Sequence, residues 1–305
     1  SNIESDWRLV RKYGPDDDGG PVAFSEDGER LYIVDNLEAN TQRLLVLLLT
    51  TGEAKVMAED PQYDVADVLV HPVKRCVEAV AFYRETLEWD IVNETIRGDF
   101  ERLRQVRRGE VRLASRDLDE KTWIVSYSTD DGPVYYYRYE PDSGQTELLF
   151  SNQPKLEEAS LAQMQPITFH ARDGLTIHGY LTTPIGVPAR NLPTVLKVHG
   201  GPWARDRWGF QPLVQLLANR GYAVLQVNYR GSSGYGKSFL NAGNRQWAGR
   251  MHEDLIDGVN WAIEEGIADP DRVAIMGGSY GGYATLVGLT MTPDVFAAGV
   301  DLVGP

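Results

Sequence analysis

Residues 272–281 read RVAIMGGSYG, and this stretch decides how the second half of the chain is interpreted. Its first half predicts a short buried strand, and its second half fits the pattern Gly-x-Ser-x-Gly, a tight turn between a strand and a helix. Gly277 and Gly281 let the backbone approach its neighbours closely. Residues 282–290 predict the helix that follows. We therefore predict that Ser279 is a nucleophile that attacks an acyl carbon.

A second glycine-rich loop lies upstream, where residues 199–203 read HGGPW directly after a predicted strand at 194–198. Attack on an acyl carbon places negative charge on the carbonyl oxygen, and each fixed N–H donor there is worth about 3 kcal/mol in the transition state. We predict that the backbone N–H groups of Gly201 and Tyr280 supply this oxyanion hole. His199 precedes the nucleophile in the chain, so we expect it to pack the loop rather than act as a base.

Strands and helices alternate through the rest of this half. A hairpin turns at Asp173-Gly174, and further elements are predicted as helices at 211–219 and 254–265 and as strands at 222–227 and 296–303. This alternation predicts a doubly wound, mostly parallel sheet.

The first half of the chain consists of short strands and turns that repeat. Strands are predicted at 31–34, 43–49 and 54–57, and in the same order at 123–127, 134–139 and 147–150. The turn glycines Gly52 and Gly144 are 92 residues apart, which is two periods of about 46 if a less regular unit at 77–92 lies between them. Such a period is typical of β-propeller blades, although an ordinary antiparallel sandwich stays open on these repeats alone. We therefore assign residues 1–163 to about three C-terminal blades of a propeller whose ring is not closed, and residues 164–305 to the N-terminal part of a catalytic domain.

Three motifs together resemble the prolyl oligopeptidase family of serine peptidases, and especially its acylaminoacyl-peptidase-like branch. They are HGGPW at 199–203, NYRGSSGYG at 228–236 and GGSYGGY at 277–283. The resemblance runs over most of the chain and implies an α/β-hydrolase preceded by an all-β partial propeller. It also implies hydrolysis of short or N-acylated peptides through an acyl-enzyme on Ser279. A carboxylesterase on the same scaffold is the alternative, because acyl transfer to a serine does not distinguish an ester from an amide.

The same resemblance implies an aromatic-rich substrate pocket, with Trp203, Trp208 and Phe210 near the substrate. A core role is the alternative for each of them. Short peptides are the expected partners.

The partners that such a serine needs are not evident. An α/β-hydrolase presents nucleophile, acid and histidine in that chain order, and residues 280–305 contain no histidine. Asp294 and Asp301 are not assigned as the acid, because the family's acid falls further downstream. The chain's five histidines all precede the nucleophile: His71, His170, His178, His199 and His252. We therefore expect a piece of a longer peptidase, with a hydrolase domain incomplete at its C-terminus and no activity alone.

Composition excludes several other classes. A net charge of −14 argues against a nucleic-acid partner, and no apolar run approaches the length of about 20 residues that spans a membrane. Cys76 is the single cysteine, and neither a metal site nor a cofactor is expected. A cytoplasmic location is favoured, and a periplasmic or secreted one stays open. The predicted strand at 296–303 would leave an exposed sheet edge, so a homo-oligomer is a further expectation.

Overall fold

The computed structural model describes residues 8–305, which divide into two compact units. The first unit runs up to Arg97 and includes Gly234–Ser238, and the second comprises Gly98–Ser233 and Phe239–Pro305. Each unit is built around its own sheets.

The first unit contains two antiparallel sheets. The four-stranded sheet consists of β1 (Gly19–Phe24), β2 (Arg30–Asp35), β3 (Arg43–Leu48) and β4 (Ala54–Ala58), paired in chain order. The three-stranded sheet consists of β5 (Val65–Val70), β6 (Val77–Tyr83) and β7 (Leu87–Ile91). Strand β6 is buried at every position, as expected for the centre of a sheet covered on both faces.

Part of the NYRGSSGYG motif belongs to this first unit. Lys237 Nζ donates a hydrogen bond to the carboxylate of Asp17 at 2.9 Å, and the Gly236 N–H donates to the carboxylate of Asp64 at 3.2 Å. The ring of Tyr235 lies 5.8 Å from that of Tyr63, measured between centroids. These contacts explain why a short segment, distant in the chain, groups with the first unit.

The second unit opens with a helix and a further four-stranded antiparallel sheet. They are α1 (Arg97–Val106), β8 (Glu110–Arg116), β9 (Trp123–Ser128), β10 (Tyr135–Glu140) and β11 (Gln145–Ser151). The buried Tyr127 donates its hydroxyl to the carbonyl oxygen of Leu103 at 2.6 Å, which ties α1 to the sheet.

The rest of the second unit is a six-stranded sheet in the order β12-β13-β15-β14-β16-β17. Its strands are β12 (Met164–His170), β13 (Thr176–Thr182), β14 (Leu192–Val198), β15 (Ala223–Asn228), β16 (Ala268–Gly278) and β17 (Ala298–Leu302). The helices of this region are α2 (Pro212–Asn219), α4 (Arg250–Glu264) and α5 (Tyr280–Met291), whereas α3 (Gly236–Asn241) begins in the segment Gly234–Ser238 that groups with the first unit. The hairpin β12-β13 is antiparallel and pairs antiparallel with β15, whereas β15, β14, β16 and β17 run parallel.

The predicted fold class is confirmed: an α/β-hydrolase sheet follows propeller-type antiparallel sheets. The sequence pattern misses β1, β5, β8 and α3; β1 contains two glycines, β8 contains three charged residues and α3 is only six residues long. The change of architecture comes at β12, whereas the two compact units divide near Arg97. The domain boundary between residues 163 and 164 rests on architecture and stays a prediction.

Candidate active site

Ser279 lies on the turn between the end of β16 and the start of α5, with φ 55° and ψ −123°. Positive φ is uncommon for a residue with a side chain, so the surrounding structure must hold it. A Cβ on Gly277 would lie 2.6 Å from the carbonyl oxygen of Val198, and one on Gly281 would lie 2.3 Å from the same atom. The two glycines of the motif are therefore required by the packing of the turn against β14.

The HGGPW loop lies beside this turn, because Val198 at the end of β14 pairs with Gly277 in β16. A Cβ on Gly200 would lie 3.4 Å from the Cβ of Ser279, which shows how close the two loops are. Gly201 has φ 122°, a conformation that favours glycine.

The two predicted oxyanion donors have no competing acceptor. Among residues 8–305, neither the Gly201 N–H nor the Tyr280 N–H donates to a protein group. Tyr280 is the first residue of α5, where the N–H groups lack intrahelical acceptors and the helix dipole favours negative charge. The structure brings both donors to the loops around Ser279, and their role in the reaction stays a prediction.

His199 has the contacts of a packing residue. Its ring stacks on that of Tyr229, with centroids 4.4 Å apart and planes 13° apart. Its Nδ1 donates to the carbonyl oxygen of Gly200 at 2.8 Å, and its Nε2 lies 3.0 Å from Ser232 Oγ. Burial lowers the pKa of His199. These contacts agree with a loop-packing role, and Ser279 has no hydrogen bond to this imidazole.

The other four histidines, which all lie within residues 8–305, are not hydrogen-bonded to Ser279 either. No group of three or more metal-ligating side chains occurs in that part of the chain. No helix within the same residues is long and apolar enough to cross a membrane.

An ion pair joins residues on either side of the HGGPW loop, which is called the oxyanion loop below. Lys197 Nζ donates to the Asp206 carboxylate at 3.0 Å, and both side chains are largely buried. The backbone N–H and C=O of Asp206 also bond the side-chain amide of Asn228, at 2.8 and 3.1 Å. The loop is thus anchored to two neighbouring strands, β14 and β15.

Arg230, a buried arginine in the NYRG segment (residues 228–231) of the NYRGSSGYG motif, holds this segment in place and was not predicted as a site residue. The guanidinium of Arg230 bonds the carboxylates of Asp254 at 2.7 Å and Asp173 at 2.8 Å. Its hydrogen bonds lower the pKa of Asp173 to about 2. The sequence signal that could have identified Arg230 is an arginine inside a motif otherwise made mostly of small and aromatic residues.

The three residues predicted to lie near the substrate differ in their exposure and contacts. Trp203 is 62% exposed and is the last residue of the oxyanion loop, so it is accessible to a substrate. Trp208 is 9% exposed, packs in a core cluster and donates its indole N–H to the carbonyl oxygen of Met164 at 3.0 Å. Phe210 is half-buried, and its N–H donates to the carbonyl oxygen of Thr129. Trp208 thus has the contacts of a core residue.

Another aromatic group, not identified from the sequence, lies beside the nucleophile. Trp247 is 43% exposed, and its ring lies edge-on to Tyr280 at 4.9 Å and tilted against Tyr283 at 5.4 Å. It comes from the loop between α3 and α4, and no spacing in the sequence connects it with α5.

Known proteins resemble this chain along most of its length. Residues 208–305 match the prolyl oligopeptidase family. Dipeptidyl aminopeptidase BIII of Pseudoxanthomonas mexicana is 48% identical over 292 residues, covering 93% of this chain and 42% of that protein. Dipeptidyl peptidase family member 6 of Caenorhabditis elegans is 37% identical over 308 residues, with the same two shares. The solved structure of a Mycobacterium tuberculosis puromycin-hydrolyzing peptidase superposes with a TM-score of 0.78 at 25% identity, covering 97% of this chain and 46% of the other.

The chain spans 42% of the length of these two curated relatives. The region that matches the family contains the nucleophile turn, the helix α5 behind it and the NYRG segment. Motifs, fold and comparisons agree, and the chain belongs to the prolyl oligopeptidase family.

Proposed function

We propose that this chain carries the nucleophile region of a serine peptidase and that Ser279 forms an acyl-enzyme with short peptides. The observation that carries the proposal is the position of Ser279, held at φ 55° between a strand and a helix with two uncommitted backbone donors nearby. In the reaction, Ser279 Oγ attacks the carbonyl carbon of the scissile peptide bond and loses its proton to a base. The carbonyl oxygen takes up the negative charge, and in this proposal the N–H groups of Gly201 and Tyr280 donate hydrogen bonds to it.

The second half of the reaction restores the serine. The tetrahedral intermediate collapses, the C–N bond breaks, and the leaving amine takes a proton from the protonated base. Water then attacks the acyl-enzyme by the same route, which releases the carboxylic acid product and returns the proton to Ser279.

We further propose that the 305-residue chain is inactive by itself. A serine without a neighbouring base is a poor nucleophile at neutral pH, and Ser279 has no hydrogen bond to any histidine among residues 8–305. The burial and hydrogen bonds of His199 argue against its serving as a substitute base.

The substrate class is proposed from the relatives. Both curated relatives described above carry names that denote removal of dipeptides, which supports a peptidase that releases dipeptides from a free N-terminus. Cleavage of N-acylated peptides is the second candidate, because the three loops resemble the acylaminoacyl-peptidase-like branch. A carboxylesterase is the third, since the nucleophile turn serves ester and amide substrates equally.

The test uses the natural gene product that contains this chain, its Ser279→Ala variant and the isolated 305-residue chain. A fluorophosphonate probe should label the gene product, should not label the variant, and should label the isolated chain at least about 100-fold more slowly. Turnover is then compared on a dipeptidyl anilide, an N-acetyl-aminoacyl anilide and a short-chain aryl ester. Turnover that persists in Ser279→Ala would exclude this nucleophile, and a native-like burst from the isolated chain would exclude the proposed inactivity.

A further inference from the structure

Tyr229 contacts both segments that supply the predicted oxyanion donors. It directly follows β15 and is completely buried. Its hydroxyl donates to the carbonyl oxygen of His199 at 2.9 Å, and its ring stacks on the His199 imidazole. On its other side, the ring lies 5.4 Å from the ring of Tyr280, tilted by 35°. One side chain thus links the HGGPW loop to the residue after the nucleophile.

These contacts bear on the geometry of the oxyanion hole. The carbonyl that Tyr229 binds belongs to the peptide between His199 and Gly200, one peptide before the one that carries the Gly201 N–H. Because Gly200 and Gly201 have no side chains, the loop is held at these two residues by backbone contacts alone, among them the bond from His199 Nδ1 to the Gly200 carbonyl oxygen. An oxyanion hole works only when its donors lie within about 2.7–3.1 Å of the developing charge.

Tyr229 is not itself a donor to the oxyanion. Its hydroxyl proton is directed to the His199 carbonyl, and its side chain is out of reach of solvent and substrate. Its influence on the reaction must therefore pass through the two segments it contacts.

We propose that Tyr229 is a positioning residue that holds the Gly201 and Tyr280 N–H groups at the separation the oxyanion hole requires. The proposal rests on the proposed acyl transfer to Ser279. It differs from a plain core role because the hydroxyl, which takes no part in the ring stacking, is assigned a part in the rate of the reaction.

The experiment removes the hydroxyl and leaves the ring. Tyr229→Phe keeps the stacking with His199 and Tyr280 and deletes the bond to the loop. The matched control is Tyr127→Phe, because Tyr127 is also completely buried and also donates its hydroxyl to a backbone carbonyl, that of Leu103. Both variants are made in the natural gene product, with Ser279→Ala alongside.

The readouts are kcat, KM and Tm on a dipeptidyl anilide, and the inhibition constant of a peptidyl trifluoromethyl ketone, whose adduct carries an oxyanion. In Tyr229→Phe we expect kcat to fall about 5- to 50-fold, less than the about 10²- to 10³-fold loss of a direct oxyanion donor. KM should change less than about twofold, and ketone affinity should fall in parallel with kcat. Tyr127→Phe should lower Tm by a similar amount and leave kcat unchanged.

The proposal is overturned if the kcat of Tyr229→Phe stays within about twofold of that of the unmodified protein. It is also overturned if Tyr127→Phe, at an equal loss of Tm, shows as large a decrease in kcat as Tyr229→Phe. If Ser279→Ala retains turnover, the proposed function itself fails, whatever the tyrosine variants show. If Ser279→Ala is inactive while Tyr229→Phe behaves as the unmodified protein, the role of Tyr229 alone fails.

Discussion

The backbone N–H of Ser279 donates a hydrogen bond to the carbonyl oxygen of Leu302 at 2.9 Å. The nucleophile turn is therefore braced by β17 on one side and packed against the end of β14 on the other. Contacts with residues of three strands, β14, β16 and β17, hold Ser279 at its positive φ. The turn is therefore sensitive to small changes in packing.

Gly281→Ala should unfold this turn or displace it. The new Cβ would lie 2.3 Å from the carbonyl oxygen of Val198 and 3.0 Å from its carbonyl carbon, both backbone atoms of a central strand. Overpacking of this kind costs about 1–3 kcal/mol or more, so the free energy of unfolding should fall by about 3 kcal/mol in urea denaturation. Gly98→Ala is the matched control: Gly98 is also the second residue of a helix, and its Cβ would meet open space. Equal stability of the two variants would contradict the packing argument.

Asp206→Ala should destabilise the oxyanion loop by leaving Lys197 without its carboxylate. Loss of one partner of a buried pair costs about 3–5 kcal/mol, and because Lys197 is partly exposed we expect a decrease of about 1–3 kcal/mol in the free energy of unfolding. Lys197→Met added to Asp206→Ala should recover part of the loss, because no unpaired charge remains. A double-mutant cycle measures this coupling, and strictly additive effects would mean that the pair contributes nothing.

We expect His178 to lower the free energy of unfolding in mild acid. Burial lowers the pKa of His178 from 6.5 to about 4, so the unfolded chain binds this proton more readily than the folded one. Its contribution is fully present above about pH 6.5 and is lost as the pH falls towards 4, with a slope of at most about 1.4 kcal/mol per pH unit for one proton. Burial lowers the pKa of His199 and His252 in the same direction.

The measurement is the free energy of unfolding between pH 7 and pH 4.5, by urea denaturation. His178→Gln should reduce the slope, whereas the control His170→Gln replaces an exposed histidine. A slope that is the same in His178→Gln and in the unmodified chain would show that His178 is not responsible.

We propose that the isolated 305-residue chain associates with a second copy through β17. This strand is the last in the sheet, all five of its residues are exposed, and Val300 and Leu302 are 50% and 48% exposed. Unpaired strand edges with apolar side chains pair readily with other chains. Sedimentation velocity should show a concentration-dependent dimer, and Val300→Lys should shift it towards monomer. A monomer at every concentration would exclude this pairing.

Much of the fold could be predicted because its signals are local. Alternating strands and helices, the Asp173-Gly174 turn and the glycines around Ser279 each act on their immediate neighbours, and the structure confirms the elements they predict. The two oxyanion segments could also be expected to meet, because the carboxyl ends of parallel strands share one edge of a sheet.

The sequence by itself determined that a serine would stand on a strand–turn–helix junction facing a glycine loop, since residues a few positions apart are enough to specify such a turn. Only the tertiary structure decided which side chains support it. Tyr229 contacts His199 and Tyr280, and Asp206 bonds Asn228, all of them residues about 20 to 50 positions away. Trp208 is buried, whereas Trp203 is exposed. Such choices depend on strand order and register across the whole sheet, which no local pattern of residues contains.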